Sequence, residues 1–434
     1  MVMGGSCICN RRHVEKYGND WACCCVIDNG PRCRNTKLIM NITDKLQKPG
    51  LVATFLLGAV QILVWGGSFF LLAVLGGPVA AETGWSRQWI FGALSLSILI
   101  SGLLAPLCGR LIVRHGGRLL LGWSGMIVAL GLVVLSMTRN FPVFLLAWVI
   151  IGIGMAGGLY DALFSTLGNL YGTKARSAIT GITLISGFCT TVIWPVLALA
   201  VEHLGWRYTC IAYAAVLALL VWPMYLRALP GGASGPVVSK GRVDKTAVID
   251  GRLYTLMACI FTLAAVFMTA MSVHLLTLLH WQGYSLATAV GMSALLGPSQ
   301  VGSRVVDILS GDRHPMWTTL ISVLAVAAGL LLMALWPAFA GAGIVLYGAG
   351  NGLRAIVRGT LPLALLRPQD YAVVMGSIAR PALIGQALTP LVGGYLIDTQ
   401  GAGFLLWLLC GLALLNAVFS VILIRYLRNQ SKLR

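Results

Sequence analysis

Charge is what this sequence has least of. Asp, Glu, Lys and Arg make up 10% of its 434 residues, against about a quarter in a soluble globular domain. That deficit excludes an ordinary soluble enzyme or binding module. Acids are scarcer still, 13 against 31 Lys and Arg, for a net charge of +18. No Gly-x-x-x-x-Gly-Lys-Ser/Thr loop is present to cradle a nucleoside triphosphate, so nothing supports ATP as the energy source. His-Glu-x-x-His, Gly-x-Ser-x-Gly and a Cys/His zinc array are missing too, which leaves a membrane-embedded enzyme or receptor as the weaker alternative class. No cofactor and no metal are expected.

Cysteine is present but not as a disulfide framework. Six of the 11 precede residue 34 (Cys7, Cys9, Cys23, Cys24, Cys25, Cys33), and Cys108, Cys189, Cys210, Cys259 and Cys410 stand singly in or beside apolar segments. The early group could offer thiolates to a soft metal, but it lacks two Cys-x-x-Cys pairs at zinc spacing. Residues 1–48 therefore read as a basic cytosolic tail, or as sequence upstream of a natural start at Met40.

What fills the rest is apolar: 58% hydrophobic residues and a mean hydropathy of +0.86. From Leu51 onward twelve segments approach the ~20 residues a bilayer crossing needs. They cover 51–75, 89–107, 119–137, 142–166, 177–200, 206–226, 253–279, 286–303, 317–336, 339–364, 373–397 and 403–427. Trp85, Trp89, Trp206, Trp281, Trp317 and Trp336 lie near segment ends, where amphipathic rings anchor at the interface. The expected fold is an all-α polytopic membrane protein. Its domains would be six helices within 49–226, a polar linker at 227–252, six more within 253–427, and a tail at 428–434.

Orientation follows from the bases. With the N-terminus inside, 25 of the 31 Lys and Arg fall on the cytosolic side, so both termini are expected there by the positive-inside rule. This sidedness explains the net charge without a nucleic-acid partner. The expected setting is the inner (cytoplasmic) membrane, with the chain acting as a monomer.

The halves echo each other. At an offset of 194, Gly154, Gly158, Leu159, Thr166 and Leu167 fall on Gly348, Gly352, Leu353, Thr360 and Leu361, and Arg110 falls on Arg304. At 195, Gly181 and Pro195 fall on Gly376 and Pro390. Two parallel six-helix halves with the solute site between them are the plan of the major facilitator superfamily, which this chain resembles. The loop Gly109-Arg110-Leu-Ile-Val113-Arg114-His-Gly116-Gly117-Arg118 is similar to that family's signature Gly-x-x-x-Asp-x-x-Gly-Arg-Lys/Arg, with Val113 in place of the acid. The second copy, around Arg304, Asp307 and Arg313, keeps an acid. The resemblance implies that these loops latch the halves on the cytosolic side; otherwise the bases are plain positive-inside charges.

Thr83-Gly-Trp-Ser-Arg87 and the stretch from Tyr171 to Gly181 look like the monocarboxylate and oxalate–formate branch. Span 1 has no lysine, however, and Arg304 is preceded four residues back by Gln300 rather than Asp. A lactate-like substrate is therefore not implied.

Charges inside the apolar segments carry the functional expectation. Arg354 and Arg358 lie four apart, on one helical face, inside Tyr347–Pro362. An arginine at the centre of a membrane helix costs ~2.5–3.5 kcal/mol on insertion scales. Asp161 is the acid deepest in a segment; Arg380 and His274 are further ionisable groups. The family plan lines the cavity with helices 1, 4, 7 and 10, and the 194 offset puts Asp161 level with Arg354. Arg354, with Arg380, is expected to meet an anionic or polar solute. Asp161 would be its partner in the empty site, or a proton acceptor once solute diverts the arginine. The plainer roles are a fixed salt bridge for Asp161, snorkelling to the cytosol for Arg358, bonding at the Pro381 kink for Arg380, and packing for His274. Tyr160, Gln61 and Trp65 are candidate solute contacts. The expected function is secondary transport of a small polar or anionic organic solute, coupled to a proton or other ion. Efflux of a drug or metalloid is the alternative.

Overall fold

The computed structural model describes residues 49–230, 250–311 and 313–430. The expectations for the tail at 1–48, most of the linker and the last four residues lie outside them. Fifteen α-helices and no strand occur among the described residues. In chain order they are α1 Leu51–Gly66, α2 Leu71–Thr83, α3 Arg87–His115, α4 Gly117–Ser136, α5 Phe141–Gly158, α6 Tyr160–Tyr171, α7 Arg176–Ser186 and α8 Cys189–Ala228. There follow α9 Gly251–Trp281, α10 Leu286–Ser293, α11 Leu296–Leu309, α12 Pro315–Leu335, α13 Ala340–Leu365, α14 Pro368–Gln400 and α15 Ala402–Asn429.

Eight helical stretches among the described residues are long and apolar enough to cross a membrane. One of them, Phe141–Ala228, runs 88 residues, several times the ~20 that a crossing requires. It is interrupted at Leu159, which is extended, and at Gly205, whose φ of 75° and ψ of 161° no L side chain adopts readily. α13 is not among the eight. It carries the two arginines and six glycines, Gly341, Gly343, Gly348, Gly350, Gly352 and Gly359, which dilute its hydropathy.

The buried core divides as the chain does. One apolar cluster runs from Leu57 to Leu229, and two more draw on residues 253–427. α14 belongs to both groups: Tyr371, Met375, Ala379 and Leu383 pack into the first cluster, while Val374, Ile378 and Ala382 pack into one of the other two.

Within each group the third and fourth spans meet backbone to backbone at glycines. A Cβ on Gly131 would lie 3.2 Å from Ala147 O and 2.6 Å from the Ile151 side chain, and one on Gly154 would lie 3.0 Å from Ser124 O. The second group repeats this at Gly329 with Gly343 O and Tyr347 N, and at Gly350 with Ser322 O and Val326 N. Matching these contacts sets Ser124, Val128 and Gly131 on Ser322, Val326 and Gly329, an offset of 198, and Ala147, Ile151 and Gly154 on Gly343, Tyr347 and Gly350, an offset of 196. The expected offset of 194 is thus two to four residues short. Residue identity suggested it, whereas the helix contacts define the register.

Contacts between the groups concentrate at the end that carries the 109–118 loop. Ala372 O lies where a Cβ of Gly109 would sit, Ala105 O abuts Gly376, and Phe164 and Ile179 abut Gly359. Arg176 donates to Arg313 O at 2.5 Å. At the opposite end the bonds stay within one group. Glu82 accepts from Trp206 and Arg207, Arg207 donates to Ser136 O and Thr138 O, and Gln282 donates to Met333 O.

Gly350→Ala should therefore destabilise, because its Cβ would lie 2.6 Å from Ser322 O and 2.8 Å from Val326 N. Overpacking of this kind costs ~1–3 kcal/mol. Gly92→Ala, where a Cβ meets nothing within 4 Å, should be neutral or raise stability by ~0.5–1 kcal/mol through helix propensity. Thermal unfolding of the detergent-purified variants checks the contrast; equal midpoints would refute the register.

Candidate functional site

A break in the fourth span builds the centre of the molecule. α5 ends at Gly158, Leu159 is extended (φ −83°, ψ −175°), and α6 restarts at Tyr160. Broken helices strand backbone carbonyls that a bilayer cannot satisfy. Here Gln61 on α1 donates Nε2 to Gly158 O at 2.8 Å and to the Tyr225 hydroxyl at 3.2 Å, while its Oε1 accepts from Trp65 Nε1 at 3.1 Å. Gln61 is fully buried. Expected as a candidate solute contact, it here spends one donor on the break and the other on the Tyr225 hydroxyl.

The restart places Asp161 in the first turn of α6, where the helix dipole favours a carboxylate. Across the groups, Arg358 of α13 donates Nε to Asp161 Oδ1 at 2.7 Å and Nη2 to Oδ2 at 2.5 Å. This is a two-pronged pair, with side chains 13% and 15% exposed. Asp161 thus pairs with Arg358 rather than with Arg354 as expected, and this bond, not the cytosolic surface of its plainer role, takes up the Arg358 guanidinium. The register explains the error. An offset of 196 sets Asp161 on position 357, next to Arg358 rather than Arg354.

Among the described residues Arg354 bonds only neutral groups, Nε to Asn351 Oδ1 and Nη2 to Met268 Sδ, each at 2.8 Å. Arg304 behaves likewise. It was expected in a cytosolic gating loop, but α11 runs on to Leu309, so Arg304 lies inside a helix and is 5% exposed. Its Nε donates to Gly352 O at 3.1 Å and its Nη1 to Thr183 O at 2.6 Å, joining α11, α13 and α7. A side chain on Gly187 would strike this guanidinium. Tyr160 lies within electrostatic reach of both Arg304 and Arg354 and shares a 2.5 Å hydrogen bond with Ser186. Arg304 and Arg354 thus lie within reach of Tyr160 and Arg358 binds the adjacent Asp161; among the described residues only Arg358 of the three has a carboxylate partner. Sequence reading missed Arg304 as a buried base; its place one turn beyond Gln300 in an amphipathic run was the available signal.

The remaining candidates sit elsewhere. His274 is buried against Gly393 of α14, with Nε2 unpartnered, and bonds the Pro390 backbone. Arg380 is exposed on α14 and outside the bonded group. Trp65 stays beside the centre, 5.1 Å from the Tyr160 ring. In the loops, Arg110 and Arg114 are exposed. Gly116 has a positive φ of 82° at the turn into α4, and Arg118 donates to Leu226 O within its own group. Asp307 accepts from Thr318 at 3.0 Å, also within its group. The cross-group tie through these loops is carried by Gly109 and by the Arg313 carbonyl. Arg354, Asn351, Tyr347, Ser322 and Asn416 line a small cavity of about 10 Å³, and the buried Asn416 Oδ1 has no partner among the described residues.

Removing one member of a buried pair leaves a stranded charge and costs ~3–5 kcal/mol, whereas replacing both by apolar groups of like size is near neutral. Arg358→Met should accordingly lower thermal stability more than Asp161→Leu with Arg358→Met together. A double variant as unstable as the single would refute the coupling, and unfolding in detergent decides it.

The comparisons agree with this architecture. A sequence model of the Major Facilitator Superfamily matches residues 54–379. The agnestins efflux protein AgnL12 of Paecilomyces divaricatus is 25% identical over 372 residues, covering 82% of this chain and 81% of that protein. Monocarboxylate transporter 6 of Homo sapiens is 25% identical over 138 residues, 31% of this chain and 26% of its own length. Among solved structures, the human organic anion transporter MFSD10 superposes with a TM-score of 0.67 at 17% identity, over 85% of this chain and 98% of that one. With the family matched over most of its length and its apolar helices disposed in two groups, the chain belongs to the Major Facilitator Superfamily and is a multi-pass membrane transport protein, not an enzyme.

Proposed function

We propose that this transporter carries a small organic anion by alternating access, with proton coupling through Asp161. The observation that carries the reading is the pair of arginines without an acid. Arg304 and Arg354 each bring a full charge into an apolar bundle and bond only to neutral groups. Insertion of each costs ~2.5–3.5 kcal/mol, and a solute anion is the partner that would offset it. Bonds from guanidinium to carboxylate are about twice as strong as neutral ones, so the neutral bonds can yield to it.

The same reading completes the membrane plan. Phe141–Ala228 makes three crossings, divided at the turn near Gly172 and at Gly205. α10 with α11, and α13, add two crossings to the other seven stretches, giving twelve. The linker at 227–252 then separates two six-helix halves. The positive-inside rule sets the 109–118 loop and both termini in the cytosol of the cytoplasmic membrane. Since the halves meet at that end, this is a state open to the outside.

Asp161 and Arg358 bond across the halves, so opening to the cytosol must part them. Parting two bare charges is costly. A proton on Asp161 neutralises one side, and the arriving anion offers Arg358 a replacement. One proton then moves with one monovalent anion. The agnestins relative is named for efflux, and the same cycle run in reverse would export.

Proteoliposomes holding the full chain test this with labelled organic anions and an imposed pH step. Arg304→Ala and Arg354→Ala should each cut uptake by about 10- to 100-fold, the loss of a charged hydrogen bond. Asp161→Asn should retain anion exchange while losing accumulation driven by the pH step. Uptake that favours cations and ignores both arginines would sink the proposal.

A further inference from the structure

We infer that the transported anion carries a flat aromatic or conjugated ring, seated on an aromatic wall contributed by the first group. The inference rests on the anion reading above and deepens it. Five rings follow one another in space. Phe164 stacks on Tyr160 (5.0 Å between centroids, 10° between planes). Tyr160 meets Trp65 at 5.1 Å, Trp65 meets Phe70 at 5.7 Å, and Phe70 meets Trp194 at 6.3 Å. Phe69 flanks Trp65 at 5.4 Å. These residues come from α1 and the turn after it, α6 and α8, all in the first group.

The bases come from the other group, and Tyr160 is where the two sets meet. The rings belong to one group and the bases to the other, and Tyr160 lies within electrostatic reach of Arg304 and Arg354. An anion whose charge sits on Arg304 and Arg354 would lay the remainder of its body along the rings. Aromatic pairs in offset or edge-to-face geometry add ~0.5–1.5 kcal/mol beyond the area they bury.

Exposure is graded along the series. Phe164 is buried, Tyr160, Trp65, Phe69 and Phe70 are half-buried, and Trp194 is 40% exposed. Pure core packing would bury the series throughout. The gradient instead leaves ring surface accessible from Tyr160 to Trp194.

The polar edges of the wall are already committed. Trp65 Nε1 donates to Gln61, the Tyr160 hydroxyl is bonded to Ser186, and both Gln61 donors are spent. What remains for a solute is ring face, which suits stacking and offers little to a polyol, whose hydroxyls each need a partner. The bases add the charge requirement. Together they describe an aromatic carboxylate or similar conjugated anion.

The test is competition for anion uptake in proteoliposomes, comparing benzoate and 2-naphthoate with cyclohexanecarboxylate and acetate. Cyclohexanecarboxylate matches benzoate in size without its π face. Benzoate should compete at about tenfold lower concentration than cyclohexanecarboxylate, and 2-naphthoate lower again. Trp65→Leu, and Trp194→Leu at the exposed end, should each narrow that ratio to within about threefold. Equal competition by the two ring acids, or a ratio that survives both substitutions, would overturn the aromatic inference and leave the anion reading standing. Competition by neutral or cationic solutes alone would overturn both.

Discussion

An ion pair between Asp161 and Arg358 is the interaction on which the centre of this molecule depends. Neither charge is tolerable alone in hydrocarbon, and each belongs to a different helical group. Their bond therefore does two things at once: it neutralises both and holds the groups together at the end bearing the basic loops. The local structure is arranged around it. The fourth span breaks at Leu159, so Asp161 falls in the first turn of a new helix, where unpaired amides and the helix dipole favour its charge. Gln61 then repairs the cost of that break by bonding the freed Gly158 carbonyl.

Against that pair the other two arginines are distinct. Arg304 satisfies its geometry with carbonyls from both groups, and Arg354 with an amide and a thioether. Hydrogen bonds of that kind settle the donors without cancelling the charge. The bundle thus carries a local positive excess near Tyr160, with aromatic surface on one side and bases on the other. The rings come from one half and the guanidinium groups from the other.

Fold and site stand on different ground. Family membership follows from a match over residues 54–379 and says that the chain transports. Folds of this kind serve many solutes, so the choice of solute lies in particular side chains. In the function proposed above those are the arginines, Asp161 and the rings.

The sequence by itself determined the solvent in which this chain folds and the helix on which its charges lie. Low charge, long apolar segments and the cost of burying arginine were enough to single out Tyr347–Pro362 and Asp161. Periodicity and composition report such things because they are local. Which arginine meets Asp161 was decided only by tertiary structure. Glycines are so frequent, 52 in all, that matching Gly154 to Gly348 gave a believable offset two residues from the one that backbone contacts impose. Two residues advance a helix by roughly 3 Å, enough to set position 357 rather than 355 level with Asp161 and so exchange Arg354 for Arg358. The break at Leu159 and the service of Gln61 to a stray carbonyl were equally out of reach. Each depends on where a distant helix stops, and neither hydropathy nor residue spacing records that.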